Sequence, residues 1–278
     1  MTAATNPEAA RVIARGALSG RTALITGGGS GIGRATACQL AAAGAAVAVV
    51  GRREEPLAET VRLARAAQLD DGSGPQPEVV ALSCDIREPD QVDAMLDQAL
   101  AALGRVDILV NNAGGQFVSP AEAITAKGFR AVTRLNLDAT WYLTTQVAVR
   151  SMIPAGYGKV VSVTMTPRRG MPGMAHSSAA RAGVESLMRT LAVEWGRYGI
   201  RLVAVAPGIV HTESWERYGL EPEQVSTVVP LARLQAADEV AALITFLASA
   251  GGDYISGATL VADGGLDVSG PGSAFGKS

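Results

Sequence analysis

Arg21-Thr22-Ala23-Leu24-Ile25-Thr26-Gly27-Gly28-Gly29-Ser30-Gly31-Ile32-Gly33 passes from a short apolar run into a glycine-rich turn and on into a helix-forming stretch. Gly27, Gly29, Ser30, Gly31, Ile32 and Gly33 are candidate phosphate-binding residues for a physical reason. Glycine takes positive φ at no steric cost and lets the backbone approach a ligand closely. A helix that starts at the turn offers free N–H groups and the positive end of its dipole to phosphate charge. Glycine clusters also occur in surface turns. This one stands between an apolar strand and a helix, the setting that the diphosphate of a dinucleotide requires.

The alternation continues outward from that turn. Strands are predicted over 21–26, 45–50, 78–83, 106–111, 159–164, 200–206 and 258–263, with helices over 33–44, 53–68, 89–104, 127–153, 177–198 and 238–249. Gly44 is placed to end the first helix. Turn formers crowd 70–77, and 208–235 is less regular. The strands are short and apolar on both faces, as strands of a parallel sheet covered on both sides are. The fold class is therefore α/β: a Rossmann fold with a doubly wound, seven-stranded parallel sheet flanked by helices. Residues 1–18 read as a flexible N-terminal arm, 19–268 as a single domain and 269–278 as a C-terminal tail.

Composition narrows the partners. The net charge is −2 with no basic patch, so no nucleic acid is expected. No apolar run is long enough to span a bilayer, the first twenty residues lack the apolar core of a secretory signal, and the final Gly276-Lys277-Ser278 is not a peroxisomal address. Cys38 and Cys84 each sit in an apolar segment, which predicts neither a disulfide nor a metal site. A cytoplasmic setting fits these features.

The second strand decides between the two nicotinamide dinucleotides. An acid at its end would hold a ribose 2′-hydroxyl. Here Val50 is followed by Gly51-Arg52-Arg53. Two guanidinium groups suit a 2′-phosphate, and one charge-assisted hydrogen bond of about 1.5–3 kcal/mol favours the phosphorylated form at least about tenfold. NADPH (NADP+) is the expected cofactor. A solvated basic pair is the bland reading, and the start of a helix is an electrostatically poor place for one.

Thr26-Gly27-x-x-x-Gly31-x-Gly33, Cys84-Asp85-Ile86, Asn111-Asn112-Ala113-Gly114, Asn136, Pro207-Gly208-x-x-x-Thr212 and Asp263-Gly264-Gly265 occur in that order. With this set the chain resembles the short-chain dehydrogenase/reductases from about residue 18 to 266. The resemblance implies that Asp85, with Ile86, contacts the adenine, that Asn112, Ala113 and Gly114 line the cofactor cleft, and that Pro207, Gly208, Ile209 and Thr212 wrap the nicotinamide carboxamide. It places Asn136 among the catalytic residues. It also implies a homotetramer or homodimer paired through the helices near 127–153 and 177–198. The stretch Asn111 to Glu122, His176-Ser177 with Ala179 to Val184, and Val205 to Gly208 are similar to the peroxisomal trans-2-enoyl-CoA reductases. Those proteins and their dienoyl-CoA relatives reduce thioester-conjugated double bonds with NADPH, which makes an acyl-CoA a candidate substrate.

The resemblance breaks at the catalytic signature. Ser177 stands at the family's Tyr position, Arg181 at its Lys position and Thr164, thirteen residues before Ser177, at its Ser position. A serine hydroxyl is a poor general acid. Arginine keeps its proton but donates hydrogen bonds and positive charge. Enoyl-thioester reduction asks less: hydride adds at Cβ, charge develops on the thioester oxygen, and that oxygen needs donors. Thr164, Ser177 and Arg181 are the candidates to supply them. Reduction of a ketone or iminium, and a cofactor-binding protein without redox chemistry, stay open as alternatives. Ser177 is also a candidate helix N-cap. His176 reads as structural or solvated, His211 as a residue of the substrate loop and Arg168-Arg169 as a solvated loop pair. Trp141, Trp195 and Trp215 read as packing, and Tyr142 and Tyr198 as packing or interface.

Overall fold

The computed structural model describes residues 6, 8–9, 13–68, 76–166, 170–213 and 225–269. The Arg168-Arg169 pair, Trp215 and nearly all of the expected C-terminal tail lie outside them. Strands β1 (Thr22–Thr26), β2 (Ala46–Gly51), β3 (Val79–Ser83), β4 (Ile108–Asn111), β5 (Gly158–Val163), β6 (Ile200–Pro207) and β9 (Thr259–Ala262) make one sheet. Its order is β3-β2-β1-β4-β5-β6-β9, and every pairing is parallel. This is the doubly wound seven-stranded sheet expected from the alternating pattern.

The reason lies in the strand sequences. All five residues of β1 and all six of β5 are buried, so both faces of each are covered. Successive side chains go to opposite faces. Leu24, Leu109 and Leu202 join one core with Met95 of α3 (Pro89–Leu103), Leu143 of α5 (Ala139–Val147) and Met188 of α7 (Ala175–Trp195). Ile25, Val110 and Val203 join the other with Leu40 of α1 (Gly31–Ala42), Leu57 of α2 (Glu54–Ala67) and Leu247 of α8 (Ala237–Ala248).

The chain runs outward from β1 through β2 to β3, then returns to β4 beside β1 and winds the other way. The crevice above the C-terminal ends of β1 and β4 is the switch point where ligands bind in such sheets. It brings the glycine turn and Asn111 to Gly114 face to face.

Three departures from the sequence pattern bear on the site. The helix predicted over 127–153 is one rod with two π-helical stretches: α4 (Ala126–Thr133), Arg134–Asp138, α5, Ala148–Met152 and α6 (Ile153–Ala155). Asn136 lies in the first stretch and is fully buried. The irregular segment after β6 holds a small parallel pair, β7 (Val210–His211) with β8 (Gln235–Ala236). Leu18, inside the expected flexible arm, is buried in the core, and its N–H donates to Ala43 O at 2.8 Å. Burying an apolar side chain of that size contributes about 1.5–3 kcal/mol, enough to tie down the end of the arm. Trp195 packs against the core as expected, whereas Trp141 is half exposed and does not. Tyr142 reaches back to donate to Asp93 Oδ2 at 2.9 Å. Among the described residues no helix is long and apolar enough to cross a membrane, and no cluster of potential ligands could hold a metal.

Candidate active site

A cleft of about 310 Å³ opens at the switch point. Gly27, Gly29, Ser30, Gly31 and Ile32, the residues expected to hold phosphate, line part of its wall. Gly27 and Gly31 take φ of +64° and +50°. Gly33 sits beneath the turn, where a Cβ would fall 2.2 Å from Gly27 O, so only glycine lets the helix press this closely on it. The opposite wall is stapled to the turn. Thr26 Oγ1 accepts the N–H groups of Asn112 (3.1 Å) and Ala113 (3.0 Å), and Asn112 Nδ2 donates to Thr26 O (3.0 Å) and Gly27 O (3.3 Å). Asn112, Ala113 and Gly114 line the cleft.

Arg52, Arg53, Asp85 and Ile86, expected at the adenosine end, also line the cleft, together with Arg87, which the sequence pattern did not single out. Arg87 grips Asp85 with Nε at 2.9 and 3.1 Å and with Nη2. These bonds hold the Asp85 carboxyl below the usual carboxylate range, with Arg52 adding a weaker pull. The acid expected to meet the adenine thus also anchors a third guanidinium at this end. Thr212 lines the cleft, but Pro207, Gly208 and Ile209 do not. Gly208 is packed against Asp263, and Ile209 faces a separate pocket with Val261 and Leu231.

The expected catalytic residues lie on α7, at the end of β5, in the loop after β4 and in the π-helical stretch after α4. Asn136 turns its amide to the backbone of Gly115, accepting from its N–H at 3.0 Å and donating to its carbonyl at 2.9 Å. Its side chain therefore shapes the cleft wall, and the π-helical stretch aims it there. Arg181 is 8 % exposed. Its Nη1 donates to Val163 O at 2.7 Å, and its Nη2 lies where a Cβ on Gly114 would be, within 2.0 Å of it. No described carboxylate forms an ion pair with it, and burial pulls its pKa down to about 10. It still carries its charge at neutral pH. A buried, unpaired cation against the cleft wall is costly unless a ligand completes it. The residues present fit a nicotinamide dinucleotide: a glycine cradle suited to phosphate, arginines lining one end, and behind Gly114 a cation with no carboxylate partner among the described residues.

Ser177 stands one turn before Arg181. It is not the N-cap that the sequence suggested, because α7 begins two residues earlier, at Ala175. Its Oγ donates to Gln116 Oε1 at 3.1 Å, which ties the helix to the loop after β4. Gln116 was missed as a site residue, although it follows the Asn-Asn-Ala-Gly run closely. Thr164 is buried, and its hydroxyl lies 3.3 Å from Val205 O and 3.4 Å from Glu185 Oε1. Thr164 and Ser177 are thus both buried, and of the residues at this end only Gly114 lines the cleft itself, with Arg181 and Asn136 packed directly behind it and Ser177 tied to Gln116. His211 is buried in β7. Cys38 and Cys84 are free, and burial pushes both thiols up to about 11, so neither is a ready nucleophile.

His176, expected to be a structural or solvated loop residue, lies in the first turn of α7. It is fully buried, its Nδ1 accepts the Ser177 N–H at 2.7 Å, and its ring meets Phe117 edge-on at 4.3 Å. Burial lowers its pKa below 6.5. Between the lowered native value and the unfolded value of about 6.5 the unfolded chain binds more protons. The stability from neutral His176 is present above that window and is lost as the pH falls through it. Urea unfolding at about pH 7.5 and about pH 5.5 should show a larger acid loss in the wild type than in His176→Asn. The same loss in both proteins would remove His176 as its source.

Known proteins place this geometry. The family model described as Enoyl-(Acyl carrier protein) reductase matches residues 27–267. A probable 2,4-dienoyl-CoA reductase of Bacillus subtilis (strain 168) is 38 % identical over 88 % of this chain and 96 % of its own length. A peroxisomal 2,4-dienoyl-CoA reductase of Danio rerio is 35 % identical over 89 % of this chain and 82 % of its own. Among solved structures, the citronellol catabolism dehydrogenase (AtuB) of Pseudomonas aeruginosa PAO1 superimposes with a TM-score of 0.79 at 41 % identity, over 92 % of this chain and 98 % of that one. With a matching sheet order, glycine turn and sequence along nearly the whole chain, this protein belongs to the short-chain dehydrogenase/reductase family of oxidoreductases.

Proposed function

We propose that the protein is an NADPH-dependent reductase of the carbon–carbon double bond in an enoyl thioester, with an acyl-CoA as the substrate. The observation that carries this reading is Arg181, a buried cation with no carboxylate partner among the described residues, one turn after Ser177 and in place of a titratable tyrosine–lysine pair. Such a pair of donors suits an oxygen on which charge develops, and it lacks a group able to hand a proton to an alkoxide. Relatives described as 2,4-dienoyl-CoA reductases support the thioester and the double bond.

In this reading the glycine turn holds the diphosphate, Arg52, Arg53 and Arg87 hold the 2′-phosphate, and Asp85 meets the adenine. The bound cofactor supplies a hydride to Cβ of the substrate. Arg181 and Ser177 Oγ orient the thioester carbonyl and stabilise the negative charge its oxygen gains, and water protonates the α-carbon. Ser177 exchanges its bond to Gln116 for one to the substrate. Asn136 keeps Gly114 and Gly115 in place beneath Arg181. The working setting is cytoplasmic. The assembly is a homodimer or homotetramer, for which the exposed Trp141, Val149 and Val193 on or beside α5 and α7 supply apolar surface.

Incubation of the purified protein with NADPH and trans-2-enoyl-CoA substrates of several chain lengths tests the proposal. NADPH oxidation and a saturated acyl-CoA product are expected. Folded protein that binds NADPH yet turns over no enoyl-CoA or dienoyl-CoA of any length would remove the thioester reading.

A further inference from the structure

Glu213 follows Thr212 in the loop that meets the glycine turn, where the Thr212 methyl would lie 3.0 Å from a Cβ on Gly31. Its Oε2 accepts the N–H of Gly31, the first residue of α1, at 3.0 Å. Its Oε1 accepts from Arg34 Nη1 at 3.1 Å. Arg34 is itself held over the turn by bonds to Gly29 O and to Thr60 Oγ1, the latter at 3.2 Å. An anion of the chain's own is therefore seated at the positive end of α1, on an amide of the phosphate cradle and beside a fixed cation. A neutral acceptor would fasten the loop through the same N–H bond without placing charge there.

We propose that Glu213 is an internal competitor for the diphosphate of the cofactor and sets dinucleotide affinity by occupying the cradle that the diphosphate must take. The inference rests on the dinucleotide reading of the cleft and is independent of the substrate. Like charges brought to one short stretch of backbone repel strongly when partly shielded from water. The diphosphate brings more charge and more acceptor oxygens than one carboxylate, so it displaces Glu213, and part of its binding free energy goes into that exchange. The Glu213 side chain is 53 % exposed, so solvent receives it once displaced. A nucleotide without a diphosphate has no such contest to win.

Glu213→Gln keeps the shape and the acceptor and removes the charge. Glu213→Ala is a second variant expected to act in the same direction. Calorimetric titration of the full chain compares wild type and variants with NADPH, ADP-ribose and adenosine 2′-monophosphate, at low and high salt. The variants should bind NADPH and ADP-ribose tighter by on the order of tenfold, a change of about 1.4 kcal/mol. Binding of adenosine 2′-monophosphate should stay the same, and the gain should shrink with salt. Folded variants with equal or weaker NADPH affinity would overturn the inference and leave Glu213 as a loop fastener. An equal gain for adenosine 2′-monophosphate would also overturn it, by tracing the effect to net charge. A wild type that binds no dinucleotide would overturn the reading of the cleft and this inference together, whereas binding without a gain overturns this inference alone.

Discussion

Arg181→Met should keep or raise the melting temperature of the cofactor-free protein while lowering turnover about 10²–10³-fold. The two effects part because Arg181 is 8 % exposed and has no carboxylate partner among the described residues, so its charge there is uncompensated. Replacing buried ionic groups with apolar side chains of similar volume is often neutral or stabilising by about 1–4 kcal/mol. Against that stands the lost bond from Nη1 to Val163 O, which leaves a carbonyl short of a donor at a cost of about 1–3 kcal/mol. The terms nearly cancel, so thermal unfolding should place the variant within a few degrees of the wild type or above it. Turnover has no such compensation, because a methionine gives no donor to a developing oxyanion. Arg181→Lys restores charge with shorter reach and should recover part of the rate. Unfolding and steady-state kinetics on the same preparations decide the matter. A variant several kcal/mol less stable, with activity lost only in proportion to its unfolded fraction, would make Arg181 a structural residue.

The fold was legible because its signals are local and repeated. β1 runs straight into Gly27 to Gly33, and the strand cores alternate faces along a chain whose helices fill the intervals. The glycine turn that lines the cleft was legible for the same reason, since turn, glycines and helix start are contiguous. What stayed hidden depends on distant partners. Arg87 looks like one basic residue among many until the sheet order sets it beside Arg52 and Arg53. The pairing of Glu213 with Arg34 joins residues far apart in the chain. Ser177 resembled a cap because serine favours caps, but the bond from its N–H to the His176 ring lets the helix begin at Ala175. The π-helical stretch at Asn136 leaves no mark in an apolar period that reads as one long helix. Thr164 matched the family position by count alone, and tertiary packing turns it inward toward Glu185 and Val205 O.

Substituting Arg52 and Arg53 together by alanine should lower the preference for NADPH over NADH by at least about 10²-fold, with kcat at saturating cofactor little changed. Each guanidinium can give the 2′-phosphate charge-assisted hydrogen bonds of about 1.5–3 kcal/mol, and NADH has nothing there to receive them. Arg87 remains, but Asp85 already neutralises much of its charge, so it cannot replace the missing pair. Arg52→Asp should go further, because a carboxylate at the end of β2 both repels the 2′-phosphate and accepts from a ribose 2′-hydroxyl. The fold has little at stake. Arg53 is exposed, and it immediately precedes α2, whose first turn carries Glu54 and Glu55. Removing a cation from the positive end of that helix dipole is neutral to slightly favourable. Both arginines are in contact with solvent, so the wild-type preference should also fall as ionic strength rises. KM values for both cofactors, measured at two salt concentrations in wild type and variants, give the answer. If the double variant kept the wild-type ratio, the 2′-phosphate would have to be held elsewhere, and the case for NADPH built on the end of β2 would fail.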